Sequence, residues 1–223
     1  MSLRLGAETA RDRLVGARPW LFVSAAAGVV AAIGGTERTD GASGADRALL
    51  GVTLPFVVPL VCDALFELAL GRSRTSALLE PLARHGADRR TLALGALLTL
   101  TLACALATAL LAVIAVGSAT TLSAALVREL DASAWGGALA GAAYGGLLAV
   151  GSLRGRAGRL WVLAGDFFFG SGSGPFAVPW PRGHARNLLG GTPVLEGSPS
   201  FAALMLALLA ASYLSFTASR GPS

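Results

Sequence analysis

The chain has 223 residues, of which 54% are apolar and only 14% charged, and its mean hydropathy is +0.65. Soluble domains carry roughly 25% charged residues, so an ordinary soluble domain is excluded and an integral membrane protein is indicated. The net charge of +5 comes from arginine alone, and those arginines flank apolar runs, where they orient membrane segments rather than bind nucleic acid.

The apolar runs are continuous and rich in Ala and Leu rather than alternating, which selects helices over a barrel. The predicted fold is all-α: a polytopic membrane helix bundle of about six transmembrane helices, with a cytoplasmic amphipathic helix over residues 1–18 and a single transmembrane domain over 19–223. The leader carries Arg4, Arg11, Arg13 and Arg18 against Glu8 and Asp12. A second reading of residues 1–33 is a signal peptide, although no small-x-small cleavage site follows. The first span is 19–35, and the Gly-rich stretch after it, Thr36 to Arg47, is placed outside.

The second span, 48–70, contains Pro55, Pro59, Asp63 and Glu67. The two carboxylates lie one helical turn apart, and an intramembrane carboxylate facing lipid is costly, so both are functional candidates. Two readings are open for Asp63, functional or structural, and Glu67 is expected to reach the inner boundary near Arg72 or Arg74. A polar stretch, Gly71 to Arg90, then faces the cytoplasm, and Thr75 to Ala83 within it has helical spacing.

The third span is 92–116, followed by an outer loop from Gly117 to Ser133 with a short helical piece. The fourth, 134–153, opens on WGGALAGAAYGG, where Gly137, Gly141 and Gly145 make a bare row suited to close packing against another helix of the chain. Arg154, Arg156 and Arg159 form a basic inner turn. The fifth segment, 160–174, is broken by GSGSGP and holds Asp166, which either caps the broken helix or lines a cavity. The proline-rich loop Pro175 to Ser200 lies outside, and 201–218 is the last span. Thirteen arginines fall inside and five outside, so both termini are cytoplasmic by the positive-inside rule.

Enzymatic signatures are missing. Without lysine there is neither a Walker A loop nor a Schiff-base residue. Ser171 and Ser173 lie in a Gly-Ser run, but His184 is in a loop and His85 on the other side of the membrane, so no nucleophile meets a base. Cys62 and Cys104, both inside apolar runs, read as packing residues, and no metal-ligand cluster is present.

Two stretches resemble the membrane (permease) subunit of type-2 ATP-binding-cassette (ABC) exporters. ELALGRSRTSALLEPLARHGADRRTLALG, Glu67 to Gly95, is similar to the family's cytoplasmic stretch, with an acidic residue and a Gly before a coupling helix and an Arg pair after it. PRGHARNLLGGTPVLEGSP, Pro181 to Pro199, resembles its segment before the last span. The family's Gly-Thr pair is replaced by Arg74-Thr75, with Gly71 three residues before Arg74. The resemblance implies an ATPase-coupling helix from Arg74 to Ala83, with Arg74, Thr75, Leu78, Leu79, Glu80, Leu82 and Arg84 at the interface. It implies an outer gate carrying Pro175, Trp180, His184 and Asn187, with a re-entrant helix from His184 to Leu189.

It further implies export across the cytoplasmic membrane by alternating access, and the use of Arg in place of Lys with high Ala and Gly content suggests a bacterium with a GC-rich genome. The partners would be membrane lipid, a separate nucleotide-binding subunit carrying ATP and Mg, and a second permease subunit. No cofactor is expected on this chain. The nearly uncharged spans favour a hydrophobic or amphipathic cargo. A scaffold subunit, which small-residue spans serve equally well, and a proton-coupled carrier or membrane enzyme using Asp63 are the alternatives.

Overall fold

The computed structural model describes residues 2–38, 42–71, 75–120 and 124–194, with the side chains of 17, 42, 76–78 and 124–127 excepted. The last expected span, 201–218, and Arg72 and Arg74 lie outside the described residues.

Nine α-helices are described and no strand is found among these residues: α1 (Ser2–Leu14), α2 (Ala17–Thr36), α3 (Ala42–Asp46), α4 (Val58–Leu70), α5 (Thr75–Arg84), α6 (Arg89–Ala119), α7 (Ala124–Gly151), α8 (Gly155–Phe169) and α9 (Pro181–Leu188). Among the described residues four stretches are long and apolar enough to cross a membrane: Arg18–Thr36, Ser43–Leu70, Arg89–Ala119 and Arg128–Phe169. The chain is an all-helical bundle of membrane character.

The second of these stretches is irregular for a reason legible in its sequence. Arg47–Val57 is a π-helix with Pro55 inside it. Proline has no N–H and its ring collides with the carbonyl four residues back, and the wider turn relieves the collision. The Thr53 hydroxyl donates to the Ala48 carbonyl at 2.7 Å, five residues back, and the Val58 N–H bonds the Thr53 carbonyl. Pro59 follows at the start of α4, where the ladder changes from π to α.

Helix α6 is the axis of the bundle. Its 31 residues reach about 46 Å, more than the ~30 Å hydrocarbon thickness. Leu92, Leu100 and Leu111 are fully buried on it, in one core with Val61, Phe66 and Leu70 of α4 and Tyr144 and Leu148 of α7. Cys62 and Cys104 are buried free thiols in that core, as expected. Against α6 runs the glycine row of α7. A Cβ on Gly137 would fall 3.0 Å from the Thr108 carbonyl oxygen, one on Gly141 2.6 Å from Thr108 Oγ1, and one on Gly145 2.9 Å from the Thr101 Cα. The row therefore serves packing within the chain.

The expected loop Gly117–Ser133 is mostly helical: α6 continues to Ala119 and α7 begins at Ala124. The charges that suggested a loop, Arg128, Glu129 and Asp131, sit exposed on the first turns of α7, where a helix tolerates them.

The 42-residue stretch Arg128–Phe169 would span about 63 Å if straight. It is instead a hairpin. Gly155, at φ +70°, occupies the left-handed region that glycine reaches without strain. It stands midway between Gly151 and Arg159, whose backbones touch, and midway between Tyr144 and Asp166, which share a hydrogen bond. Gly158 lies against the Gly151 carbonyl, closing the hairpin.

Gly141→Val is expected to destabilise the detergent-solubilised protein by about 1–3 kcal/mol, the usual cost of overpacking, seen as a lower unfolding midpoint. Gly28, whose Cβ would meet open space inside α2, gives an unchanged or slightly higher midpoint as Gly28→Ala. A Gly141→Val protein melting with its parent would contradict the α6–α7 packing.

Candidate functional site

The site is a chain of charges along α8 that links the α5 end of the bundle to the segment carrying α9. Asp63 and Glu67 project from one face of α4, one turn apart as their spacing requires. Between them sits Arg159 of α8, fully buried. Its Nε donates to Asp63 Oδ1 at 3.0 Å, and one terminal nitrogen donates to Glu67 Oε2 and, at 3.1 Å, to the Gly71 carbonyl. The other terminal nitrogen, Nη1, is buried without a partner.

Gly71 ends α4 at φ +67°, and this left-handed turn aims its carbonyl back into the bundle. Arg159 thus clasps α4 at the point where the chain leaves for α5. Arg159 had the sequence context of an inner basic turn with Arg154 and Arg156. The hairpin at Gly155 reverses that expectation by carrying it back one turn into the bundle.

Two turns further along α8, Asp166 is completely buried. Its partners come from two directions: the Tyr144 hydroxyl of α7 donates to Oδ2 at 2.8 Å, and the Arg182 Nε of α9 donates to the same oxygen at 3.0 Å. The Arg182 backbone N–H adds a third bond, to Oδ1, at 3.1 Å. The Arg182 guanidinium also lies 5.0 Å from the centroid of the Phe167 ring, a cation–π contact. Asp166 is thus neither a bare cap nor a cavity wall: it anchors the following segment.

That segment is built tightly. Trp180 stacks on Phe169 and presses its ring on Gly165, where a Cβ would lie 2.9 Å from Cζ3. Pro181 starts α9 at the first helical position, so a short helix runs from Pro181 to Leu188 where a helix from His184 to Leu189 was expected. His184 is buried, with Nε2 2.9 Å from the Val178 carbonyl oxygen, and Asn187 is half-buried. Pro175 lies in the turn between α8 and α9. No cluster of His, Cys, Asp and Glu that could hold a metal occurs among the described residues.

Helix α5 occupies the same end as Arg159 and Gly71. It ends at Arg84, one residue beyond the expected bound, and the expected start at Arg74 lies outside the described residues. Leu79 is buried and Leu82 packs on the core, while Pro81, Arg84 and His85 are exposed. Glu80 pairs with Arg84 at 3.4 Å and with Arg89 at 2.8 Å, fastening α5 to the start of α6. The side chain of Leu78 is outside the described residues. Asp88 caps α6 by accepting the Thr91 N–H at 3.0 Å. That bond, then the Thr91 side chain, holds the Asp88 carboxyl below its ordinary value.

Arg159, Tyr144 and Arg182 were missed as site residues. The available signal was Arg159 standing seven residues before Asp166, hence on one face of one helix. Searches against protein-family models, curated proteins and solved structures found no match for the chain.

Arg159→Met leaves the partly exposed Asp63 and Glu67 without their counter-ion and is expected to destabilise the protein, by less than the ~3–5 kcal/mol found where the orphaned charge is fully buried. Adding Asp63→Asn and Glu67→Gln restores most of the loss. Denaturant titration of the purified protein reads both. Asp88, with its pKa depressed in the folded state, stabilises above the ordinary aspartate value of about 3.9 and loses that contribution as pH falls through the folded value. The fall in melting temperature between pH 6 and pH 3 is accordingly smaller in Asp88→Asn, by differential scanning fluorimetry.

Proposed function

We propose that the chain is the permease subunit of an ABC-type exporter in a bacterial cytoplasmic membrane, with both termini cytoplasmic, powered by a separate ATPase. The observation that carries the reading is the placement of α5. It is a short amphipathic helix between two helices of spanning length, with Leu79 in the bundle and Pro81, Arg84 and His85 outward. The sequence resemblance assigns the coupling role to this stretch.

The charge chain of α8 supplies a route for force. The Gly71 carbonyl, at the exit toward α5, is tied to Arg159, and Asp166 on the same helix is tied to α9. A push on α5 during ATP-driven closure of the partner therefore reaches α8 through α4, and α9 through α8. Charged and hydrogen-bonded joints transmit such displacement because they are short and directional. Arginines of α1, α5, α6 and α8 gather at the α5 end, which agrees with a cytoplasmic orientation.

In this reading two permease subunits act together, ATP and Mg belong to the partner, and the cargo is hydrophobic or amphipathic. The pairing of Asp63 with Arg159 supports a structural role for that carboxylate over a carrier's proton site.

The test is affinity purification of the tagged chain from its native membrane in mild detergent, beside Arg84→Glu/His85→Glu. An ATPase recovered with the parent and reduced at least severalfold with the variant is the expected result. A parent eluate without any ATPase removes the energy source and redirects the assignment to an assembly subunit.

A further inference from the structure

The α1–α2 elbow leaves a wedge on the outside of the bundle. At one end of α2, Gly34 lies directly against Ser118 and the Ala115 carbonyl of α6, so the two helices touch there. Toward the elbow they diverge, and a groove of about 380 Å³ opens between Leu14, Val15, Pro19 and Trp20 on one side and Thr99 to Leu110 of α6 on the other. That stretch of α6 is about 16 Å long, which is half the ~30 Å hydrocarbon core and therefore the depth of one leaflet. Leu102, Leu106 and Leu110 line it, each 45–63% exposed.

The groove has one charged lining residue, Arg11, at the elbow end. Its ion pair with Asp12 is long, 3.5 Å, and both side chains are about two-thirds exposed. The guanidinium thus keeps donors for an oxyanion, which it binds in forked geometry. Trp20 stands beside it, 63% exposed, as tryptophans do at headgroup depth.

We propose that this wedge is a lipid site: it seats one acyl chain of an anionic phospholipid along Thr99–Leu110, with the phosphate held by Arg11. A slot one leaflet deep with a single cation at its mouth has the polarity of such a lipid. A second copy of the chain is the other possible occupant, and the experiment separates the two. The inference is independent of the transport reading, since it rests only on the elbow and α6.

Native mass spectrometry of the delipidated protein, titrated with phosphatidylglycerol or phosphatidylcholine of identical chains, tests it. The parent is expected to bind phosphatidylglycerol about fivefold more tightly, the effect of one arginine near an anionic headgroup. Arg11→Gln abolishes the preference while still binding both lipids, and its exposed position leaves folding intact. Ala103→Phe, which fills the groove floor, loses the bound lipid of either kind. Equal binding of both lipids by the parent, or an unchanged preference in Arg11→Gln, overturns the proposal. So does a dimer that Ala103→Phe dissociates, which would make the occupant a second copy.

Discussion

A charged arginine fully enclosed by apolar helices is the constraint from which the rest of this bundle follows. The desolvation cost of a guanidinium is several kcal/mol even after relaxation, and it is tolerable only with partners fixed in place. Arg159 has two carboxylates and a backbone carbonyl as acceptors. Those acceptors dictate where α4 lies, which way its C-terminal turn points, and how closely α8 approaches. Isolated pairs of this kind add little net stability compared with apolar residues. What they add is a single allowed register between helices whose greasy surfaces could otherwise slide.

The same logic repeats at Asp166 with different chemistry. There a lone carboxylate collects a phenol, a guanidinium and a backbone N–H from two elements. The two clusters sit on one 15-residue helix, which at about 22 Å is shorter than a hydrocarbon core. Because α8 is held near each end by directional bonds, it behaves as a strut between the α5 end and the α9 segment.

Much of the architecture was legible in composition and spacing. Continuous Ala/Leu runs gave the helices, and the four-residue glycine spacing of α7 gave its contact with α6, because both signals are local. The amphipathic character of α5 was readable for the same reason. The partner of Asp63 was not, since it lies 96 residues away and turns inward only after the chain reverses at Gly155. Arg159 next to Arg154 and Arg156 has the appearance of solvent-facing charge, and nothing within one turn distinguishes it. Asp166 looked solitary because both of its partners come from other elements. The helical start of α7 was hidden by its charges, which read as loop only if a helix is assumed to stop at the membrane boundary.

The position of Gly155 has a consequence for how this chain can vary. Since it is equidistant from each pair that meets across the hairpin, the turn works as a counter as well as a bend. One residue inserted or removed there would advance α8 by 1.5 Å and about 100° against both neighbours at once. Arg159 would leave Asp63 in the same step that Asp166 left Tyr144. Chain length at this turn is therefore as tightly constrained as the identity of the charges, and insertions are better accommodated in the segments joining the helices elsewhere.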